Sequence, residues 1–257
     1  MLLDTKGRIR WQVPTIHASG RHGMLVLRST TTCAAMLGAL AMVRIRAHTL
    51  EIILDLTIDY YLAPQSPWAY LGHARFVTMA NVADARIRVL PADFGKVFAA
   101  SGGLPLGKRA PQRQAYRLVE LRRFAEHMRL PLHLHPSFFP VAGDDAARLI
   151  LAVNAAAGSA AALRLTGAVL TAVWAQQRDI SDTGVLAALL AENGLDAACL
   201  DAAREPRAQL RYEAVTQAAL DAGVFGAPSY CVDGEIFWGQ DRLDFLQRRL
   251  DAARRKS

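Results

Sequence analysis

Apolar positions along the chain fall into regular periods only from about Glu51 onward. The run IILDLTIDYYL, residues 52–62, is β-branched and aromatic and predicts a buried strand. Ser66-Pro67 then predicts a helix start. Ser is a favoured N-cap, and Pro suits the first helical position, where a missing N–H costs nothing. That helix carries Tyr70, Leu71, Ala74 and Phe76. RIRVLPAD, Arg86 to Asp93, alternates Ile87, Val89 and Pro91 and predicts a second strand, closing a β-α-β unit. From Ala100 to Pro111, three glycines and two prolines predict an irregular loop. Helical segments follow. Gln112 to Met128 places Tyr116, Leu121, Phe124 and Met128 along or near one face. Two Ala-rich segments, 144–157 and 161–177, are good helix formers. A further segment runs from an N-cap at Ser181 to Gly194, and another ends at Gly223. The pattern then returns to period two in PSYCVDGEIFWG, a hairpin with Asp233-Gly234 as its tight turn. Asp241 opens a last helix.

The order is β-α-β, an all-helical block, then β-β-α. This is an α/β chain in which two halves of one sheet are separated by a helical insertion, the thioredoxin-type plan. Residues 51–99 and 223–254 form the thioredoxin-like part, and residues 100–222 the inserted helical domain.

Composition changes this picture mainly at the N-terminus. The formal charge is +7, which invites a nucleic-acid reading. Residues 1–50, however, hold seven Lys/Arg against Asp4 alone, and the remainder has 23 basic and 22 acidic side chains. A near-neutral domain without a basic stripe is a poor phosphate binder, so no nucleic-acid partner is expected. The run CAAMLGALAMV, Cys33 to Val43, is too short for a membrane span, and no membrane association is expected. With Arg28 ahead of it, the run is open to reading as a signal peptide, and the Arg-rich leader as a transit peptide. The preferred reading is an untidy N-terminus, with Met24, Met36 and Met42 as later starts. Cys33, Cys199 and Cys231 include no CxxC pair and no zinc-like cluster. A sparse, odd set fits a reducing compartment, so a cytoplasmic protein is expected. Cys231, in a strand-like run, reads as a buried small hydrophobe.

In the thioredoxin plan the turn from the first strand into its helix carries the reactive group. A dithiol oxidoreductase would have Cys-Pro-x-Cys there; this chain has Ser66-Pro67-Trp68-Ala69. With no thiolate to attack, disulfide exchange by this turn is excluded. A hydroxyl at a helix N-terminus remains, in positive potential that favours an anion. A thiolate from a bound small thiol would be stabilised there by Ser66. The second site is GVFGAPSY, Gly223 to Tyr230. In this plan Pro228 is cis and faces the reactive turn, leaving the Ala227 backbone free to pair with an extended peptide.

SPWAYL, GVFGAPSY and VDGEIFWGQDRLDFL, at their spacing, resemble the 2-hydroxychromene-2-carboxylate isomerases. These are relatives of kappa-class glutathione transferases with a DsbA-like fold. The resemblance spans about residues 52–250. It implies glutathione as cofactor, with Ser66 on the sulfur, Ala227 and Pro228 on the peptide backbone, and Asp241 with Arg242 on the γ-glutamyl end. Arg113, in the helix after the glycine-rich loop, is the matching contact for the glycyl carboxylate. The implied chemistry is nucleophilic: glutathione thiolate adds to a conjugated double bond of an unsaturated aryl acid, the bond rotates or the ring opens, and the thiolate leaves. A homodimer acting on a small aryl substrate is expected.

One position departs from the family. Gly103 stands where many relatives carry an active-site Asn, which points to a different substrate contact; Lys108 and Arg109 are replacement anion contacts. Among Tyr60, Tyr61, Trp68, Tyr70 and Trp238, Trp68 is the expected pocket residue. His133 and His135 would share a face on a strand but have no nearby third ligand, so no metal is expected. Two rivals stay open: a kappa-like transferase that releases a glutathione conjugate, and a non-catalytic thioredoxin-fold protein that binds partners at the Ala227-Pro228 edge.

Overall fold

The computed structural model describes residues 56–255 and, ahead of them, only the backbone of four two- or three-residue strands. The chain divides into two compact units, Met1–Leu40 and Ala41–Ser257. In the first, Leu2–Leu3 pairs antiparallel with Ile9–Arg10; in the second, Arg44–Arg46 pairs antiparallel with Thr49–Glu51. The readings of the leader as signal, transit peptide or late start otherwise lie outside the described residues, as do positions 52–55 of the first predicted strand.

The second unit is built on a four-stranded sheet. Strand β1 (Thr57–Leu62) leads through a short turn into α1 (Pro67–Val82), which returns to β2 (Arg86–Pro91), parallel to β1. Next come α2 (Phe94–Ser101), a 3-10 turn at Leu106–Lys108, and α3 (Pro111–Met128). Helix α4 (Asp144–Trp174) follows, then α5 (Thr183–Glu192), α6 (Ala198–Arg204) and α7 (Pro206–Asp221). The hairpin β3 (Ser229–Val232) and β4 (Glu235–Trp238) completes the sheet in the order β2-β1-β3-β4. A 3-10 turn at Gln240–Arg242 then leads into α8 (Leu243–Arg254).

Central β1 is buried on both faces, because helices cover both sides of the sheet. Ile58, Tyr60 and Leu62 point into one core with residues of α1, α3, α4, α5, α6 and α8. Tyr61 points into the other, with Phe94 and Val97 of α2 and Tyr212, Val215 and Ala219 of α7. At the centre of the larger core, the rings of Tyr60 and Tyr230 stack with centroids 5.3 Å apart, and Phe76 closes on both. Each such buried ring contributes roughly 1.5–3 kcal/mol.

The 31 residues of α4 are long and apolar enough to cross a membrane by length and composition. They instead run through the larger core, and Gly158, at φ 80°, ψ 175°, breaks them into the two segments visible in the sequence. Two local readings are corrected. The N-cap of α5 is Asp182, whose carboxylate accepts from Val185 N–H, and not Ser181. Asp241 sits in the 3-10 turn ahead of α8 and makes no side-chain cap bond. Helices α2 and α6 were not expected.

Candidate active site

Three segments converge at the C-terminal end of β1. The first is the turn into α1. Ser66 is its N-cap: extended at φ −78°, ψ 122°, its Oγ accepts from Ala69 N–H at 3.2 Å. Its backbone N–H donates to Ala63 O, which ties the turn back to the strand. The residue is 9% exposed. Capping uses a lone pair of Oγ and leaves the hydroxyl proton free to donate. The cap and the anion-facing roles are therefore compatible, and α1 directs its positive end at the same point.

The second segment is the start of β3. Its antiparallel register sets Ser229 against Tyr61. Continued one and two residues further, that register places Pro228 against Leu62 and Ala227 against Ala63, beside the Ser66 turn. The Ala227–Pro228 bond is cis. The third segment is the turn after β4. Gly239 N–H donates to Pro228 O at 2.8 Å, which holds Gln240–Arg242 against the proline. Gly239 has φ +97°, and a Cβ there would lie 2.5 Å from Asp241 Oδ1, so glycine is required for the carboxylate to sit as it does. Asp241 is exposed, and its Oδ2 accepts from Arg242 at 2.6 Å.

The predicted site residues thus divide. Ser66, Ala227, Pro228, Asp241 and Arg242 come together. Trp68 is half-buried and edges onto Phe124 of α3, centroids 6.1 Å apart. Lys108 and Arg113 are exposed, and no hydrogen bond or ion pair links them to the turn among the described residues. Tyr60, Tyr61 and Tyr70 are buried, as expected for the aromatic positions other than Trp68, and Tyr70 donates to Pro131 O at 2.5 Å. Trp238 is exposed and lies on Gly226, with the ring of Phe225 4.8 Å away. The segment holding His133 and His135 is not a strand.

No cysteine among the described residues replaces Ser66 as a nucleophile. Burial, then the charge of Asp59, pushes the Cys231 thiol up to about 11, and burial raises Cys199 as well. Both are neutral near pH 7.

Four residues beside the turn were not singled out from the sequence: Gln65, Arg117, Phe139 and Trp174. Trp174 Nε1 donates to Gln65 O at 3.3 Å, Phe139 packs on the Trp174 ring, and the Arg117 guanidinium lies over both. Their contacts join positions at least 22 residues apart in the chain, so no local pattern announces them.

Residues 57–251 match the DsbA-like thioredoxin domain family. A 2-hydroxychromene-2-carboxylate isomerase of Sphingobium xenophagum is 31% identical over 196 residues, 76% of this chain and 97% of the relative. The chain belongs to the 2-hydroxychromene-2-carboxylate isomerase family of DsbA-like thioredoxin folds. A family member from Pseudomonas putida is 29% identical over 75% of this chain and 93% of its own length. The solved structure of a 2-hydroxychromene-2-carboxylate isomerase superposes with a TM-score of 0.67 at 25% identity, covering 78% of this chain and 97% of that one. The cytosolic disulfide reductase DsbM of Pseudomonas aeruginosa shares the fold, with a TM-score of 0.60 at 19% identity over 79% of this chain and all of that one.

Proposed function

We propose that the protein is a glutathione-dependent isomerase of 2-hydroxychromene-2-carboxylate or a related unsaturated aryl acid, working in aromatic-compound catabolism. The observation that carries the reading is a hydroxyl, Ser66, at the helix start where a dithiol enzyme holds its cysteine, in a chain whose relatives are named as isomerases along nearly their whole length.

The residues present fit glutathione. Ser66 keeps a free hydroxyl proton at a positive helix end, Ala227 offers backbone just ahead of β3 beside the cis-proline, and Asp241 presents an exposed carboxylate that caps nothing. In this reading Asp241, steadied by Arg242, holds the γ-glutamyl ammonium, and Arg113 reaches for the glycyl carboxylate. When bound, glutathione supplies a thiolate nucleophile. The chain's own share is to orient the tripeptide and to hold negative charge at sulfur through the Ser66 hydroxyl and the α1 dipole. The site chemistry needs no metal.

The test is turnover of 2-hydroxychromene-2-carboxylate with and without glutathione, with product analysis. Rapid, glutathione-dependent isomerisation without an accumulating adduct is expected. A stoichiometric adduct would make the protein a transferase, and an equal rate without glutathione would remove the cofactor from the reading. Asp241→Asn should weaken glutathione about tenfold, the scale of one charge-assisted contact. It should leave the melting temperature in place, because the carboxylate caps no helix. Calorimetry with glutathione and with its desamino analogue checks this: equal weakening of both ligands would sink the ammonium contact.

A further inference from the structure

Arg117 lies on the face of α3 turned toward the start of α1. Leu121 and Phe124, four and seven residues on, share that face. Leu121 is fully buried, and Phe124 meets Trp68, two residues past Ser66. The guanidinium Cζ is 5.4 Å from the Phe139 ring centre and 5.6 Å from that of Trp174. Those rings are themselves 4.8 Å apart, and Trp174 is tied to the carbonyl of Gln65, next to Ser66. Two aromatic faces therefore fix the guanidinium beside the reactive turn.

No carboxylate pairs with it among the described residues, although other arginines of the chain do find acids. The charge it feels is a like one: burial, then Arg109, lowers Arg117 to about 10, so it stays cationic at neutral pH. A half-buried cation without an acid, facing a second cation, is an arrangement that a bound anion completes. Arg109 is itself positioned, its Nε donating to Leu104 O at 2.8 Å and its guanidinium over Phe98. That same Phe98 fills the space above Gly103, where a Cβ would come within 2.6 Å of its ring. The room for a polar side chain at 103 is therefore taken, and Arg109 shares that same Phe98 ring.

We propose that Arg117, with Arg109 behind it, binds the carboxylate of the aryl substrate, in place of the side chain that Gly103 lacks. The assignment rests on the isomerase reading for the identity of the substrate, but not for the anion site itself. The planar guanidinium fork matches a carboxylate in two parallel hydrogen bonds, and the rings behind it hold the fork ready.

The experiment measures steady-state kinetics, glutathione affinity and benzoate binding by calorimetry on the full chain and on Arg117→Gln, Arg117→Lys and Arg109→Gln. Arg117→Gln is expected to raise the substrate KM about tenfold or more with kcat within about threefold, and to abolish benzoate binding. Glutathione affinity should stay within about twofold. Arg117→Lys should recover part of the KM, because it restores charge without the fork, and Arg109→Gln should give a smaller rise of the same kind. An unchanged KM and unchanged benzoate affinity in Arg117→Gln would overturn the proposal. So would a loss of glutathione affinity with the substrate KM intact, which would give the cation to a glutathione carboxylate. If the unaltered protein fails to turn the substrate over while benzoate binding still depends on Arg117, the isomerase reading fails and the carboxylate site stands.

Discussion

Ser66→Ala is expected to lower kcat about a hundredfold or more while changing glutathione affinity by less than about threefold. The magnitude is that of removing one preorganised donor from a developing or held anion. Affinity is spared because the tripeptide would be held mainly through its backbone and its ends, at Ala227, Asp241 and Arg113, whereas the hydroxyl acts on one atom. The same substitution also removes the N-cap of α1, since Oγ is the acceptor for Ala69 N–H. That loss alone is worth about 1 kcal/mol, or roughly 2–4 °C in a domain of this size. The two effects separate in Ser66→Asp. Asp is an equally good cap, so the helix start and melting temperature should hold. Its carboxylate has no proton to donate at neutral pH and repels a thiolate, so activity should fall as far as in Ser66→Ala. Absorbance of the thiolate near 240 nm against pH gives a direct readout, with the bound thiol titrating at higher pH in both variants. If Ser66→Asp turned over at the rate of the unaltered protein, the hydroxyl would be a cap and nothing more.

What was legible in the sequence follows a physical division. Most local signals hold, the caps at Ser181 and Asp241 excepted. Ser66-Pro67 capped a helix, and Asp233-Gly234 supplied two consecutive positive φ angles, 50° and 80°, for the hairpin turn. Gly158 broke α4 between two Ala-rich segments. The order of elements was enough to join Ser66 to Ala227, because in this plan the two strands that carry them are neighbours. Other features were not legible. Helix α2 begins at Asp93, whose carboxylate caps Gly95 and Lys96, but only eight residues follow before Gly102, too few for a periodicity to declare itself. The core placement of most of the aromatic stripe matches the expectation that only Trp68 of it faces the pocket, since alternation on a strand marks two faces and both can be covered. Helices on both sides of β1 put Tyr60 and Tyr61 into separate cores, so neither reaches a ligand. Arg117 was invisible for a different reason. Its neighbours come from residue 139 and residue 174, and only the folded chain brings two rings and a cation to the same place.

The stability of the fold should fall steeply between pH 6.5 and pH 4, and His73 should be the main single cause. This residue is wedged between α1 and α4, 8% exposed, with Gly167 against its ring. Its Nε2 faces Leu163 O at 3.0 Å, and a carbonyl only accepts, so Nε2 carries the proton. Nδ1 is then the acceptor for the Tyr60 hydroxyl at 3.3 Å. Both ring nitrogens are satisfied in the neutral form, and protonating Nδ1 would set its N–H against a hydroxyl that must then turn round in the core. Burial accordingly lowers the pKa from 6.5 to about 4, against a smaller opposing effect of the Leu163 carbonyl. The sign follows from linkage. Above pH 6.5 both states are neutral and His73 adds no pH dependence. Between pH 6.5 and 4 the unfolded chain binds a proton that the folded chain refuses, so stability is lost as pH falls. Below pH 4 both states are protonated and the loss levels off at about 3 kcal/mol. In His73→Gln, which cannot titrate, this component should vanish. The variant should be less stable than the unaltered protein at pH 7.5, through poorer packing and a lost hydrogen bond. By pH 4.5 the gap should narrow by about 2–3 kcal/mol, because only the unaltered protein has lost the histidine term. Denaturant unfolding at both pH values measures it, and the common carboxylate contribution cancels in the difference. Parallel stability curves for the two proteins would mean that His73 takes up its proton in the folded state at little expense, and that the Tyr60–His73–Leu163 chain is looser than its distances imply.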